Sequence, residues 1–258
     1  MPRPRTYATA ALILRRVDFG EADRLVTILT PGYGKLRVMA KSARKMTSRK
    51  AGHIELFAHT QLFMARGRTF DLITQAELID PHLQLREDML RGGLAHYVGE
   101  LVDQFAQEEH EDAALFDAAC EAMRLLCSVR DPLLAARYVE LRLLQLSGYR
   151  PQLQRCVVTG EVLEVDVLDS EVQTTPFSPT AGGVLTRPAA AYARDVVMLS
   201  HSGLLLLRAL QTQPYAALDE LSIPRDVHME IERAMQLYVS FVTERRMRVP
   251  GVLKRVGE

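Results

Sequence analysis

Between residues 7 and 79 the apolar positions fall into five short runs, 7–17, 24–30, 35–41, 55–64 and 70–79, divided by turn-forming residues. Gly20 stands in the first gap, Pro31, Gly32, Tyr33 and Gly34 make a tight connection in the second, and Gly67 precedes the fifth run. The third run is the most regular: Lys35, Arg37 and Lys41 alternate with Leu36, Val38 and Ala40. Period two is the strand repeat, so the cations share one face and the apolar side chains point to a core. Five short strands in so few residues predict a small closed barrel, a shape that removes exposed edges.

The repeat then changes to three and four. Residues 83–107 and 113–128 carry it, as in Leu90, Leu94, Tyr97, Val98, Leu101 and Phe105. Asp131 as a cap, Pro132 in the first turn and Gly148 past the end predict a helix over 133–147. Ser200 similarly precedes a helix over 201–212. The last pattern runs from 225 to about 248, with Ile231, Met235, Leu237, Tyr238, Phe241 and Val242 on its apolar side. Between about 150 and 199 the period is broken by Pro151, Gly160, Pro176, Pro179, Gly182, Gly183 and Pro188, so turns are expected. The pattern therefore predicts an α+β chain, with a barrel domain at 1–80 and a helical domain at 81–258 that carries an irregular insertion.

Charge sharpens the division. The whole chain has 32 basic and 32 acidic residues, yet residues 1–80 carry 14 against 7, a net of +7. Residues 81–150 carry 7 against 12, and 151–258 carry 11 against 13. No acid stands between Asp23 and Glu55, a stretch that holds Arg24, Lys35, Arg37, Lys41, Arg44, Lys45, Arg49 and Lys50. Such a stretch repels itself unless a polyanion offsets it, so these eight are the candidate phosphate contacts. The segment 42–50 adds hydroxyls to the cations and contains no aromatic residue. Base stacking would have to come from Phe19 or Tyr33, and sequence-tolerant backbone binding is the expectation.

Composition restricts the rest. With 258 residues, 48% apolar and 25% charged, the chain can build two modest soluble domains. No apolar run approaches the roughly 20 residues that cross a bilayer, and the start, where Arg15, Arg16 and Asp18 interrupt a short apolar run, gives no signal peptide. A cytoplasmic protein without membrane contact is expected. Cys120, Cys127 and Cys156 form no even disulfide framework. Enzymatic motifs are scarce. Gly32-Tyr33-Gly34-Lys35 lacks the spacing of a phosphate loop, His201-Ser202-Gly203 lacks the flanks of a nucleophile elbow, and His53 and His59 fit no zinc spacing. No catalysis is expected.

Residues 11–14, 21–25, Thr30, Gly34-Lys35, Ala40-Lys41, Arg44 and Ser48, then 75–78, 148–151, Leu153, Cys156, Gly160, Phe177-Ser178 and 182–184 form an ordered set. In that set the chain resembles the RecO family of bacterial recombination and DNA repair proteins. The resemblance implies an OB-fold domain followed by a helical bundle interrupted by a zinc-ribbon-like insertion. It also implies binding of single- and double-stranded DNA, annealing of complementary strands, and loading of the RecA recombinase onto DNA coated by single-strand-binding protein, with RecR as partner. Nucleoid association would follow.

One departure stands out. Where many family members carry two Cys-x-x-Cys pairs, this chain has Cys156-Val157-Val158-Thr159 and Thr186-Arg187-Pro188-Ala189. One thiolate cannot hold a tetrahedral structural zinc, so no metal cofactor is expected and Val157, Val158, Leu163, Val184 and Leu185 should pack the degenerate insertion instead. For the acidic, apolar-ended tail of single-strand-binding protein, the candidates are Arg124, Arg137 and Arg142 on helices and Arg245, Arg246 and Arg248 at the last helix end. The alternative is a generic OB-fold nucleic-acid-binding module that serves another assembly; a hydrolase using His201 or Ser202 is the third reading.

Overall fold

Five strands, β1 (Thr6–Phe19), β2 (Asp23–Thr30), β3 (Gly34–Ala40), β4 (His59–Ala65) and β5 (Asp71–Asp80), close into a barrel in the order β1-β2-β3-β5-β4. The computed structural model describes residues 5–48, 50–164 and 174–244. It divides into two compact units, lying within Met1–Ser128 and Val129–Glu258. No helix among the described residues is long and apolar enough to cross a membrane.

The barrel interior follows from strand parity. Val26 pairs with both Arg16 and Val38, and Ile28 with Ile13 and Leu36, so one set of alternate residues fills the core. A bulge between Ile13 and Arg15 inserts Leu14 and shifts the parity of β1 there, which bends the strand as it closes the barrel. The β3–β5 seam is parallel and short, pairing only Val38 with Asp71 and Met39 with Leu72. The fourth predicted run begins too early: residues 51–54 form a 3₁₀ turn, and Phe57 turns the chain with φ 62° before β4 starts.

Helices α1 (Gln84–Glu87), α2 (Met89–Phe105) and α3 (Ala113–Ser128) complete the first unit. The single helix predicted over 83–107 is two, because Asp88 is extended and its carboxylate accepts the N–H groups of Leu90 and Arg91. The ring of Phe57 packs so closely on α2 that a Cβ at Gly99 would stand 2.7 Å from it.

The second unit contains α4 (Pro132–Leu146), a three-stranded sheet of β6 (Thr175–Ser178), β7 (Gly183–Val184) and β8 (Val197–Leu199), the short α5 (Arg187–Ala190), then α6 (His201–Thr212) and α7 (Arg225–Val242). The insertion thus holds a small sheet among its turns. Arg208 of α6 fastens it, donating to the Leu153 and Leu163 carbonyls at 2.9 and 2.8 Å. Of its expected packing residues, Val184 and Leu185 are buried, but Val158 is 68% exposed because it sits in the turn after Cys156. On α7, Leu237 and Phe241 are exposed, contrary to the expected apolar face. At 100° per residue, Ile231, Met235 and Tyr238 form the buried stripe, and Leu237 and Phe241 lie with Met229 and Arg233 on another.

Candidate nucleic-acid interface

An open groove of about 740 Å³ runs along the barrel between the loop after β3 and strand β5. Lys41, Ser42, Lys45, Thr47, Ser48 and Lys50 line one side, and Thr74, Gln75 and Ala76 the other. Cations, hydroxyls and an amide face it, and no carboxylate does. The loop is held in shape by short-range turns, with the Lys45 N–H on the Ser42 carbonyl and the Ser48 N–H on the Lys45 carbonyl. Its base is tied to the β1–β2 hairpin, where the Ser42 N–H donates to Asp23 Oδ1 at 2.7 Å and the Arg44 N–H to the Ala22 carbonyl at 2.9 Å.

The eight predicted cations separate into distinct environments. Lys41 and Lys45 are exposed, and their side chains make no ion pair or hydrogen bond among the described residues. Lys50 lines the same groove while donating to the Ile73 carbonyl at 3.0 Å. Arg37 is exposed on the outer face of β3 and pairs with Glu108 at 3.3 Å. Lys35 is turned to internal use: its ammonium meets the Asp103 carbonyl at 2.6 Å and the Asp103 carboxylate at 3.2 Å, with only 16% of the side chain exposed. Arg24 has the opposite parity from Arg37 and Lys41, and points toward the barrel end, where Asp18 at 3.3 Å and Glu55 at 3.9 Å receive it. Asp18 also holds Arg44 at 3.3 Å, so one carboxylate joins two guanidiniums. Arg49 lies outside the described residues.

Below the short β3–β5 seam, the chain after α2 completes the β3 edge. Lys35 donates its N–H to the Gln107 carbonyl and accepts the Glu109 N–H, both at 3.1 Å, forming a parallel bridge with Glu108. The backbone approach is so close that a Cβ on Gly34, at φ 62°, would lie 2.0 Å from the His110 carbonyl oxygen. This acidic segment and Arg37, Arg66 and Arg68 line a second groove of about 670 Å³, whose charges are mixed. Tyr33, a predicted stacking candidate, is committed here: its ring lies 4.7 Å from that of Tyr7, and Arg66 covers Tyr7 at 4.1 Å.

Sequence reasoning missed Thr74 and Gln75 in the first groove, since only the barrel closure brings β5 to the lysine loop. Of the helix cations considered for an acidic peptide, Arg124 and Arg142 are exposed. Arg137 is not, because it is buried against Glu140 within α4. Arg245, Arg246 and Arg248 lie outside the described residues.

Among its described residues the insertion holds one cysteine and no tetrahedral donor set for a structural metal. Cys156, 1% exposed, accepts the Thr186 N–H at 3.3 Å and faces the Thr186 hydroxyl at 3.8 Å. Burial pushes its thiol up, but hydrogen bonds from Thr159, Thr186 and Val158 outweigh that and bring it down to about 6. Among the described residues no three His, Cys, Asp or Glu side chains gather as a metal site. His201 and Ser202 begin α6 after the cap Ser200, whose hydroxyl oxygen accepts the Gly203 N–H at 3.0 Å.

A closed five-stranded barrel with a cationic groove, followed in the chain by a helical unit with a small inserted sheet, defines a mixed α+β protein. Residues 4–82 match the family model "Recombination protein O N terminal" and residues 86–249 match "Recombination protein O C terminal". The chain is 43% identical over 256 residues to a DNA repair protein RecO of Roseiflexus sp. (strain RS-1), covering 99% of this chain and 88% of that one. It is 31% identical over 245 residues to the protein of that name from Dehalococcoides mccartyi (strain ATCC BAA-2266 / KCTC 15142 / 195), covering 95% and 94%. With that from Pelotomaculum thermopropionicum it shares 30% over 254 residues, covering 98% and 96%. The chain belongs to the RecO family of DNA repair proteins.

Proposed function

We propose that the barrel is an OB-fold module that grips DNA backbone through the groove of Lys41, Lys45 and Lys50. The protein then acts as a non-enzymatic mediator, which anneals complementary strands and, with RecR, helps load RecA onto DNA coated by single-strand-binding protein. The observation that carries the reading is the acid-free groove itself: two of its lysines have no internal partner among the described residues, and the hydroxyls of Ser42, Thr47 and Ser48 stand among them. Ammonium groups and hydroxyls at such spacing suit phosphate oxygens. Annealing needs no covalent step, because neutralising phosphates lowers the repulsion between two strands and lets bases pair. Exposed Arg124 in the first unit and exposed Arg142 in the second are separate candidates for the tail of single-strand-binding protein, and chromosomal DNA in the cytoplasm is the working substrate.

The test is fluorescence anisotropy of a labelled single-stranded oligonucleotide over a salt series, with wild type and a Lys41→Glu, Lys45→Glu variant. The expected result is steep salt dependence in wild type and, in the variant, a log-log slope smaller by about 0.7 for each phosphate it no longer neutralises. Equal binding by the variant overturns the groove assignment. Failure to bind a tail peptide of single-strand-binding protein, with DNA binding intact, would favour a module serving another assembly.

A further inference from the structure

The β3–β5 seam is bordered differently at its two ends. Before it, where β5 has not begun, the backbone of Gln107 and Glu109 pairs with Lys35 and fills the place beside β3. Beyond it β3 ends at Ala40, while β5 runs on to Asp80 with no strand in the place that β3 has left. β4 pairs with one edge of β5 as far as Asp80. In an antiparallel pair alternate residues turn their N–H and C=O away from the partner. Among the described residues, no backbone hydrogen bond reaches 74–79 from that second side. The 3₁₀ turn at 51–54 comes near β5 without such a bond. At the start of the stretch the Ile73 carbonyl is met instead by the Lys50 ammonium at 3.0 Å. Thr74-Gln75-Ala76-Glu77-Leu78-Ile79 contains no proline or lysine of the kind that guards an open edge. Leu78 and its neighbour Ile79, on opposite faces, are 38% and 52% exposed. The lysine groove runs along this edge, since Thr74, Gln75 and Ala76 form one of its walls.

We infer that an extended, acidic peptide segment of a partner protein adds to this edge as a further strand, with its backbone on 74–79 and its carboxylates on Lys41, Lys45 and Lys50. Three observations favour that occupant. Half of the free edge groups are carbonyl oxygens, which a chain of phosphates has no donors to satisfy and a peptide backbone does. The facing wall is cationic and holds no carboxylate, which selects an acidic segment and repels a second copy of the same lysine-bearing edge. The barrel already accepts such a segment at the other end of the seam, where Glu108 lays its backbone beside β3 and its carboxylate on Arg37. A strand spacing of about 4.8 Å seats the peptide inside the lysine groove, so peptide and DNA exclude one another from Lys41 and Lys45. That competition rests on the proposed DNA contact, whereas the strand addition stands on the edge itself.

The experiment uses the full chain and, as probe, a labelled, end-capped octapeptide of alternating Glu and Thr, read by anisotropy and by hydrogen exchange at 74–79. Wild type should bind it saturably, exchange more slowly at 74–79 than the free protein does, and release a single-stranded oligonucleotide as the peptide is added. The same peptide N-methylated at its four central residues keeps the charge but loses donors on both edges, and should bind at least about tenfold more weakly. The Lys41→Glu, Lys45→Glu variant should bind the unmodified peptide at least about fivefold more weakly. Equal binding of the methylated peptide overturns the inference, because charge alone then suffices. If wild type binds DNA with a groove-dependent salt slope but not the peptide, the inference is overturned while the groove reading stands. Protection of 74–79 that grows with protein concentration in the absence of peptide also overturns it and gives the edge to a second copy. Peptide binding with protection of 74–79, in a protein that binds no DNA, upholds the strand addition and removes the groove reading.

Discussion

His82 donates from Nδ1 to the carbonyl oxygen of Phe57 at 2.7 Å, joining two non-glycine residues whose backbones both lie in the left-handed region, at φ 45° and 62°. The bond fixes the neutral imidazole with its proton on Nδ1, and the buried ring is shut away from water. Burial pushes His82 below the ordinary histidine value of 6.5, and it does the same to the half-buried His59. The unfolded chain therefore binds more protons than the folded one just below that value, and stability rises with pH through this window. Full stability from these groups is present above about pH 6.5 and is lost as pH falls toward their lowered folded values. Urea midpoints at about pH 7.5 and about pH 5.5 should fall on acidification, and His82→Gln should flatten the dependence whatever it does to the absolute midpoint.

Gly34 has the tightest geometry at the acidic strap. Gly34→Ala adds a methyl 2.0 Å from the His110 carbonyl oxygen and imposes a positive φ on alanine. The expected cost is about 1–3 kcal/mol in chemical denaturation, with weakened hydrogen-exchange protection at the Lys35 and Glu109 amides. Full protection at both would contradict the packing described.

Lys35 and Lys41 lie on one strand face and its extension but should behave differently. Lys35→Ala removes a charge-assisted hydrogen bond to α2 and should cost about 1–3 kcal/mol of stability, leaving the salt slope of DNA binding as in wild type. Lys41→Ala should leave stability unchanged and lower the slope. A reversed pattern would assign the phosphate contact to Lys35.

Asp131 caps α4 by accepting the Leu133 and Leu134 N–H groups at 3.0 Å each, and it also meets His228 Nε2 at 3.0 Å. Asp131→Ala should destabilise the protein by about 1–2 kcal/mol, and Asp131→Asn, which keeps the cap, by less. Thermal unfolding of the two variants ranks them.

Chelation should leave thermal unfolding unchanged, since Cys156 is engaged by Thr186 and the neighbouring turn. Stoichiometric zinc in protein purified without chelator or histidine tag would refute this. With its folded value near 6, the thiolate's contribution to stability is full above the unfolded cysteine value and is lost as pH falls through about 6.

The local signals in the sequence were sufficient wherever one element decides its own geometry. Period two in 35–41, the glycines around it, the Asp131 cap and the bounds of α3 and α6 all follow from neighbours in the chain. What escaped was set by distant partners. Arg24 is cationic like Arg37, but its strand parity turns it to the barrel end, where water and two carboxylates tolerate a charge that the middle of the core would not. Lys35 reads as a surface strand cation until α2 brings Asp103 against it. Gln107, Glu108 and Glu109 have no strand propensity, and they pair with β3 only because its edge is open there. In the candidate site, the lysines and hydroxyls of 41–50 were legible as a charge pattern, while Thr74 and Gln75 required the closed barrel, and the exposure of Phe19 required the registers of three strands.

That same edge sets a clock on biosynthesis. Strand β3 is finished at Ala40, but the residues that satisfy Lys35 end at Glu109. At about 5–20 residues per second, the ribosome needs roughly 3–14 s to make the intervening chain. During that interval part of a strand with unpaired backbone groups stands open to any neighbouring nascent chain, and the segment whose backbone closes it arrives last.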